Sequence, residues 1–348
     1  MGFLFMKNIF KVVFVIIGTL IGAGFASGQE VYIFFFSHGQ KGILGLIISN
    51  IIIGFVIYKT LLYVEKNNTL TYKEFLKKIL RIEKKNSFII EIINMIINIF
   101  ILITFFIMIA GFGAYFEQEL GINKILGSVI LSSACFFILM KDVKGVVKAN
   151  GILVPILILF LIIIGCLLFT KINFFEIKNS LVEINKRNFL LNSILYSSYN
   201  SILLIPIILT LKQYIKNSKQ IIKITVFSTF IILVLSLIIF FSLIKVDVDI
   251  RLLEMPAVYV VSKLFKGVKS LYAIIILGSI FTTAISLGMS FLNNVAKNKD
   301  NYKRICGIIC FMAVIVSNIG FSNLVSLLYP IFGYLGLIQI AKIGTYKQ

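Results

Sequence analysis

Reactive side chains are scarce in this sequence: one histidine, four cysteines, 14 acidic residues and no tryptophan in 348 positions. They supply no Ser-His-Asp set, Cys-His pair, paired carboxylates or phosphate loop, so no enzyme is expected. Charge is scarce too. Asp, Glu, Lys and Arg make up 14% of the chain, against about 25% in a soluble domain. Only four prolines and 24 glycines are present, thinly spread, and no low-complexity linker or soluble domain can be cut from the sequence. Hydrophobic residues fill the remainder, at 59% of the chain and a mean hydropathy of +1.03. This composition predicts a polytopic membrane protein with a single transmembrane domain over residues 1–348 and the lipid bilayer as its solvent.

The 34 basic residues leave a net charge of +20. In a soluble protein that excess points to nucleic acid; in a membrane protein it sets orientation instead, so no nucleic-acid partner is expected. A helix needs about 20 apolar residues to cross the hydrocarbon core. Ten segments qualify: 8–37, 42–64, 87–115, 123–140, 149–169, 189–211, 220–244, 269–294, 304–320 and 321–341. The first is too long for one plain span. Placing the N-terminus in the cytoplasm puts about two thirds of the basic residues on that side, as the positive-inside rule requires. An even number of spans then brings both termini inside, in a plasma membrane of bacterial type.

Several features have plain readings. Residues 65–86 space Leu70, Phe75, Leu76, Ile79 and Leu80 as an amphipathic helix, expected to lie on the cytoplasmic leaflet. The stretch 255–266, opened by Pro256, reads as an outer interfacial helix or cap. A cleaved leader is not expected, because apolar character resumes in 31–36 directly after the small residues. Cys135, Cys166, Cys306 and Cys310 all fall inside spans and are expected to be reduced packing residues without a metal. His38 reads as an interfacial residue at an outer helix end. Asn94 and Asn98 read as interhelical glue.

The informative run lies in the first span, Gly18-Thr-Leu-Ile-Gly22-Ala-Gly24-Phe-Ala-Ser-Gly28-Gln-Glu30. Small residues here suit close helix packing, at Gly18, Gly22 and Ala26, or a broken helix. Span six carries a polar interruption at the matching place, Tyr196-Ser-Ser-Tyr-Asn200-Ser201, with Pro206 after it. Ten spans divide into two sets of five, and an odd number per half makes the halves point oppositely. Paired interruptions in inverted repeats point to a transporter site, since unwound backbone at that depth must line a cavity or lie within protein. In span eight, Ser279, Thr282, Thr283 and Ser286 form one hydroxyl stripe at i, i+3, i+4, i+7. The stripe serves either its own carbonyls or, with opened carbonyls in span one, a hard monovalent cation. Glu30 is the one acid well inside a span, about 12 Å from the outer helix end at 1.5 Å per residue. It is expected to act as a gate with Gln29 or in coupling, because a charge at that depth usually faces a cavity.

GAGFASGQE at 22–30, MIAGFGAYFEQELG at 108–121 and SSYN at 197–200 resemble the YkvI-like bacterial membrane proteins. These are in turn similar to the amino acid–polyamine–organocation superfamily. The resemblance spans essentially the whole chain. It implies an all-α LeuT-type fold of ten transmembrane helices in a 5+5 inverted repeat, with helices 1 and 6 broken near Gly22 and Tyr199. Repeat one would cover 7–170 and repeat two 188–342. It further implies a sodium ion between the Gly18 and Ile21 carbonyls, the Ser279 carbonyl, and the hydroxyls of Thr282 and Thr283. A solute would meet Gly22, Ala23, Gly24 and Phe25 together with Tyr196, Ser198, Tyr199 and Asn200. The superfamily's metal-ion branch is disfavoured, because its Asp-Pro-Gly-Asn break and sixth-helix Met are missing here. The expected activity is sodium-coupled secondary transport of an amino acid or related amine, with no cofactor besides Na+. Proton coupling through Lys148 is the alternative within transport. A transporter-like sensor or assembly protein that moves no solute is the alternative outside it.

Overall fold

Long apolar runs satisfy their backbone in a bilayer only as helices or closed barrels, and here they form helices. The computed structural model describes residues 2–67, 71–80, 87–171, 188–250, 253, 255–296, 298–319 and 321–345. In chain order the helices are α1 (Gly2–Leu20), α2 (Ala23–Ala26), α3 (Gln29–Val31), α4 (Gln40–Lys66), α5 (Tyr72–Leu80), α6 (Ser87–Leu120) and α7 (Lys124–Leu139). They continue with α8 (Asp142–Phe169), α9 (Phe189–Thr210), α10 (Ser218–Ser242), α11 (Pro256–Leu264), α12 (Lys269–Val295), α13 (Lys299–Val316) and α14 (Phe321–Thr345). Among the described residues, six stretches are long and apolar enough to cross a membrane: 40–66, 88–117, 142–169, 189–210, 218–245 and 270–295. Helix α7 and residues 331–345 are apolar but shorter.

Burial differs from that of a soluble protein, because large apolar side chains face outward as well as filling the core. Phe88 is 72% exposed and Phe311 69%, whereas Asn150, Ser279, Thr282 and Ser286 have no exposed surface. Exposed large apolar side chains, with polar ones kept inside, are what a hydrocarbon solvent demands. Helix α9 lies at the centre, with all but a few of its residues buried, packed on α4 and α14. Helix α12 runs against α6, α8 and α1.

The first span is interrupted as expected, and the sixth is not. Helix α1 stops at Leu20, Gly22 is extended (φ −87°, ψ −170°), and a short helix, α2, resumes at Ala23. Gly28 then adopts φ +83°, a left-handed turn open to glycine at little cost, before α3 and a π-turn over Tyr32–Phe36. By contrast α9 is continuous through Tyr196–Ser201 and Pro206. Its polar side chains bond back to carbonyls one turn earlier: Ser197 to Ser193, Asn200 to Tyr196 and Ser201 to Ser197. A polar run of this kind decorates a helix instead of opening it.

Three smaller expectations change. The apolar face of α5 (Tyr72, Phe75, Leu76, Ile79) is buried against α6, α9 and α14, not turned to lipid; Leu70 lies outside the described residues. His38 is buried, its Nε2 2.8 Å from Asn192 Nδ2 on α9, and so is not interfacial. Cys166 is exposed, unlike the other three cysteines. The pairing of Asn98 fits its reading as glue, since its Oδ1 accepts from Asn294 Nδ2 at 3.0 Å. Residues Pro256–Leu264 form the cap, and the Ala257 N–H donates to the Ser27 carbonyl at 2.8 Å.

Glycines set how closely α14 lies on α9. A Cβ at Gly336 would collide with the Ser198 carbonyl oxygen and stand 2.6 Å from its carbon, while one at Gly333 would be 3.0 Å from the Leu195 oxygen. Backbone cannot rotate away as a side chain can. Gly336→Ala is therefore expected to destabilise the protein by about 1–3 kcal/mol through overpacking. Gly151→Ala, where a Cβ meets nothing within 4 Å, should leave the thermal midpoint in detergent unchanged or raised.

Candidate functional site

The break in the first span frees a carbonyl. In an unbroken helix the Gly18 carbonyl would accept from the Gly22 N–H. Here the last such bond is Ile21 N–H to the Ile17 carbonyl, at 2.9 Å. The Gly18 carbonyl accepts instead from Thr283 Oγ1 of α12, at 2.8 Å, with the Thr19 carbonyl 3.5 Å from the same hydroxyl. A Cβ at Gly22 would touch Thr283 and the Met108 sulfur at 3.4 Å, so Gly22 faces the same point. Two residues 265 positions apart in sequence thus meet at the break.

The rest of the hydroxyl stripe divides. Ser279 donates to the Ile276 carbonyl at 2.8 Å and Thr282 to the Ser279 carbonyl at 3.1 Å, so both hydroxyls serve their own helix. Ser286 faces α8, where Asn150 Nδ2 lies 3.4 Å from its hydroxyl and 3.0 Å from the Val146 carbonyl. Sequence reasoning missed Asn150. It is fully buried, its Oδ1 has no hydrogen-bond partner, and that oxygen occupies the space a Cβ on Gly18 would need. An unpartnered oxygen in a sealed interior is costly. It adds a neutral oxygen beside the Gly18–Thr283 contact. Its one legible signal was an Asn inside an apolar span, equally usable as packing glue. Lys148, two residues earlier, is exposed and lines a surface cleft with Lys7, Lys11 and Tyr214; it is not brought to this contact.

Beyond the break the site becomes acidic and aromatic. The turn at Ser27–Gly28 folds the chain back, so that the Glu30 side chain fills the space over Gly24: a Cβ there would meet its carboxylate oxygen, with Glu30 Cγ at 2.8 Å. Glu30 is buried, and its carboxylate accepts a hydrogen bond from the Tyr199 hydroxyl on α9. Tyr199 stacks on Tyr329 of α14 with ring centroids 4.9 Å apart, and Tyr196 and Phe34 stand at 5.4 and 5.7 Å from it. Tyr329 was not legible as a site residue, because nothing in its own apolar segment marks it. Ala23 and Phe25 are buried in α2, and the Ala26 carbonyl accepts from Tyr272 of α12 at 2.7 Å. Gln29 is half-buried, with an Oε1 that has no partner. Ser198 faces α14, its hydroxyl also unpartnered. Asn200 turns back to its own helix.

The two clusters share α1–α3. One, at Gly18, Thr283 and Asn150, offers neutral oxygens; the other, at Glu30, Tyr199, Tyr196 and Tyr329, offers a carboxylate beneath aromatic faces. No lysine or arginine is found among the buried described residues, so none of these gives Glu30 a cationic neighbour.

No family model matches the chain. It is 29% identical over 346 residues to YkvI of Bacillus subtilis (strain 168), described as an uncharacterized membrane protein, covering 96% of this chain and 94% of YkvI. A second protein of that organism, YyaD, is 24% identical over 341 residues, covering 97% and 96%. Among solved structures, a Na+-coupled sialic acid symporter in its substrate-bound outward-open state superposes with a TM-score of 0.68 at 11% identity, over 97% of this chain and 77% of that one. MhsT in complex with L-phenylalanine gives 0.66 at 15% identity, over 95% and 87%. The nucleobase-cation-symport-1 family transporter Mhp1, closed on bromovinylhydantoin, gives 0.67 at 12%, over 94% and 74%. The chain has the fold of these transporters.

Proposed function

We propose that this protein is a secondary active transporter that moves a small organic solute, an amino acid or related amine, together with sodium. The observation that carries the proposal is the interrupted first helix, whose freed Gly18 carbonyl meets the Thr283 hydroxyl of α12 in a fold shared with a Na+-coupled symporter. Neutral carbonyl and hydroxyl oxygens suit a hard monovalent cation, which needs no carboxylate to replace its water shell. Gly18, Ile21, Ser279, Thr282 and Thr283 are the proposed ion ligands. The solute is proposed to bind beside Gly22–Phe25, against Glu30, Tyr196 and Tyr199, where an amine would find a carboxylate and aromatic faces. We take the architecture as ten crossings in two inverted sets of five, both termini cytoplasmic, in a bacterial plasma membrane.

The test is solute-dependent stabilisation of the purified protein against amino acids and amines, in sodium or in potassium, followed by uptake into proteoliposomes. The expected result is stabilisation by at least one solute that is larger in sodium, and uptake driven by an inward sodium gradient. Binding without uptake would favour the sensor reading.

The buried Glu30 carboxylate and its bond from Tyr199 favour a second reading, in which a proton replaces sodium and Glu30 carries it. Uptake driven by a pH gradient in sodium-free buffer, and lost in Glu30→Gln, would support that reading over the first.

A further inference from the structure

Four lysines converge at one end of the bundle, outside the proposed transport site. Lys7 and Lys11 are one turn apart on α1, and Lys144 and Lys148 are one turn apart on α8. An i, i+4 pair shares a helix face. Because α1 and α8 pack along each other, the two pairs line a single cleft of about 730 Å³. Among the described residues, no acidic side chain lines it. None of the four lysines has an ion-pair partner among the described residues, and the Lys11 ammonium stands 5.1 Å from the centroid of the Tyr214 ring. Four uncompensated like charges around one opening attract an anion. They lie at the end assigned to the cytoplasm, where anionic headgroups draw basic clusters.

The cleft is apolar as well as basic. Phe10 and Phe14 of α1 line it with Ile152 of α8. Ile152 is 56% exposed and lies one turn beyond Lys148, toward the middle of the span. Cations at the mouth, with exposed hydrocarbon one turn deeper, are laid out like a phospholipid, headgroup first and acyl chain after. A free phosphate would use the lysines and leave the apolar wall without a role. We propose that this cleft binds the phosphodiester headgroup of an anionic phospholipid, with its acyl chain along Phe14 and Ile152. The bound headgroup would tie α1 to α8, the two helices that meet again at Gly18 and Asn150. Lys11 precedes Gly18 by seven residues, about 10 Å along the helix. The lipid would thereby hold the half of the first span that ends at the break.

The test measures binding directly and is independent of transport. Purified protein in detergent is offered phosphatidylglycerol, phosphatidylcholine or inorganic phosphate, and lipid retention is read by native mass spectrometry together with the thermal midpoint. Wild type is expected to retain phosphatidylglycerol at least about tenfold better than phosphatidylcholine. The combined variant Lys7→Gln, Lys11→Gln, Lys144→Gln, Lys148→Gln should lose that preference. A charge-matched control, with Lys77, Lys219, Lys299 and Lys303 changed to Gln, should keep it. If the combined variant does not fold, the α1 pair and the α8 pair are changed separately, and each should reduce the preference. An unchanged preference in the cleft variants overturns the proposal. So does inorganic phosphate that stabilises wild type as well as phosphatidylglycerol does and displaces it, for the site would then take a soluble anion.

Discussion

Gly24→Leu is expected to abolish solute binding, at least about a hundredfold in affinity or about 2.7 kcal/mol, while the protein still inserts and folds. The atoms nearest a Cβ at Gly24 belong to the side chain of Glu30, with Cγ at 2.8 Å and Cδ at 2.9 Å. That side chain can swing aside, so the cost falls on the site. Moving Glu30 breaks its bond from Tyr199 and pushes the carboxylate into the space between α2 and the tyrosines. A buried hydroxyl left without its partner costs about 1–3 kcal/mol, and the leucine itself fills the remaining volume. Gly24→Ala should show the same effect in weaker form. Solute titrations of each variant, with thermal midpoints as a control for folding, check this. Wild-type affinity in Gly24→Leu would show that the glycines of the first span serve packing alone.

That variant is chosen on grounds the sequence supplied only in part. Glycines at mid-span marked the first break correctly, because a regular span has little use for Gly22, Gly24 and Gly28 so close together. The same reasoning failed at Tyr196–Ser201. Serine and asparagine have two ways to use a polar side chain in a helix, opening the backbone or bonding back to it. Which one wins depends on neighbours such as α4, where the Ser49 carbonyl accepts from Ser197 at 3.1 Å. Glu30 was legible as unusual, yet not as a neighbour of Gly24. Counting 1.5 Å per residue assumes a straight helix, and the turn at Gly28 returns the carboxylate toward the break. Asn150 and Tyr329 stayed hidden for a different reason: their roles come from contacts with Gly18 and Tyr199, 132 and 130 positions away, and no local pattern encodes such contacts.

Thr283→Ala should weaken the sodium dependence of solute binding at least about tenfold, with a small effect on folding. The hydroxyl contacts the freed Gly18 carbonyl at 2.8 Å, and its removal takes away one oxygen while the carbonyls and Asn150 Oδ1 remain. A single hydrogen bond contributes about 0.5–1.5 kcal/mol net, so the fold should tolerate the loss. An ion that needs every oxygen in place should not. Thr283→Ser keeps the oxygen and is expected to restore the sodium response, which separates ligation from packing of the Thr283 methyl. Thr282→Ala should have a milder effect, because that hydroxyl donates to its own helix at the Ser279 carbonyl and must turn away from it to reach an ion. Sodium binding and solute binding should each strengthen the other, since both draw on the same first-span break and coupling between sites is reciprocal. The measurement is solute affinity against sodium concentration, with potassium as the control, for wild type and the three variants. Should the wild-type and Thr283→Ala curves coincide, or potassium serve as well as sodium, the cation is not held at Gly18 and Thr283. Proton coupling, through Glu30 or Lys148, would then be the better proposal.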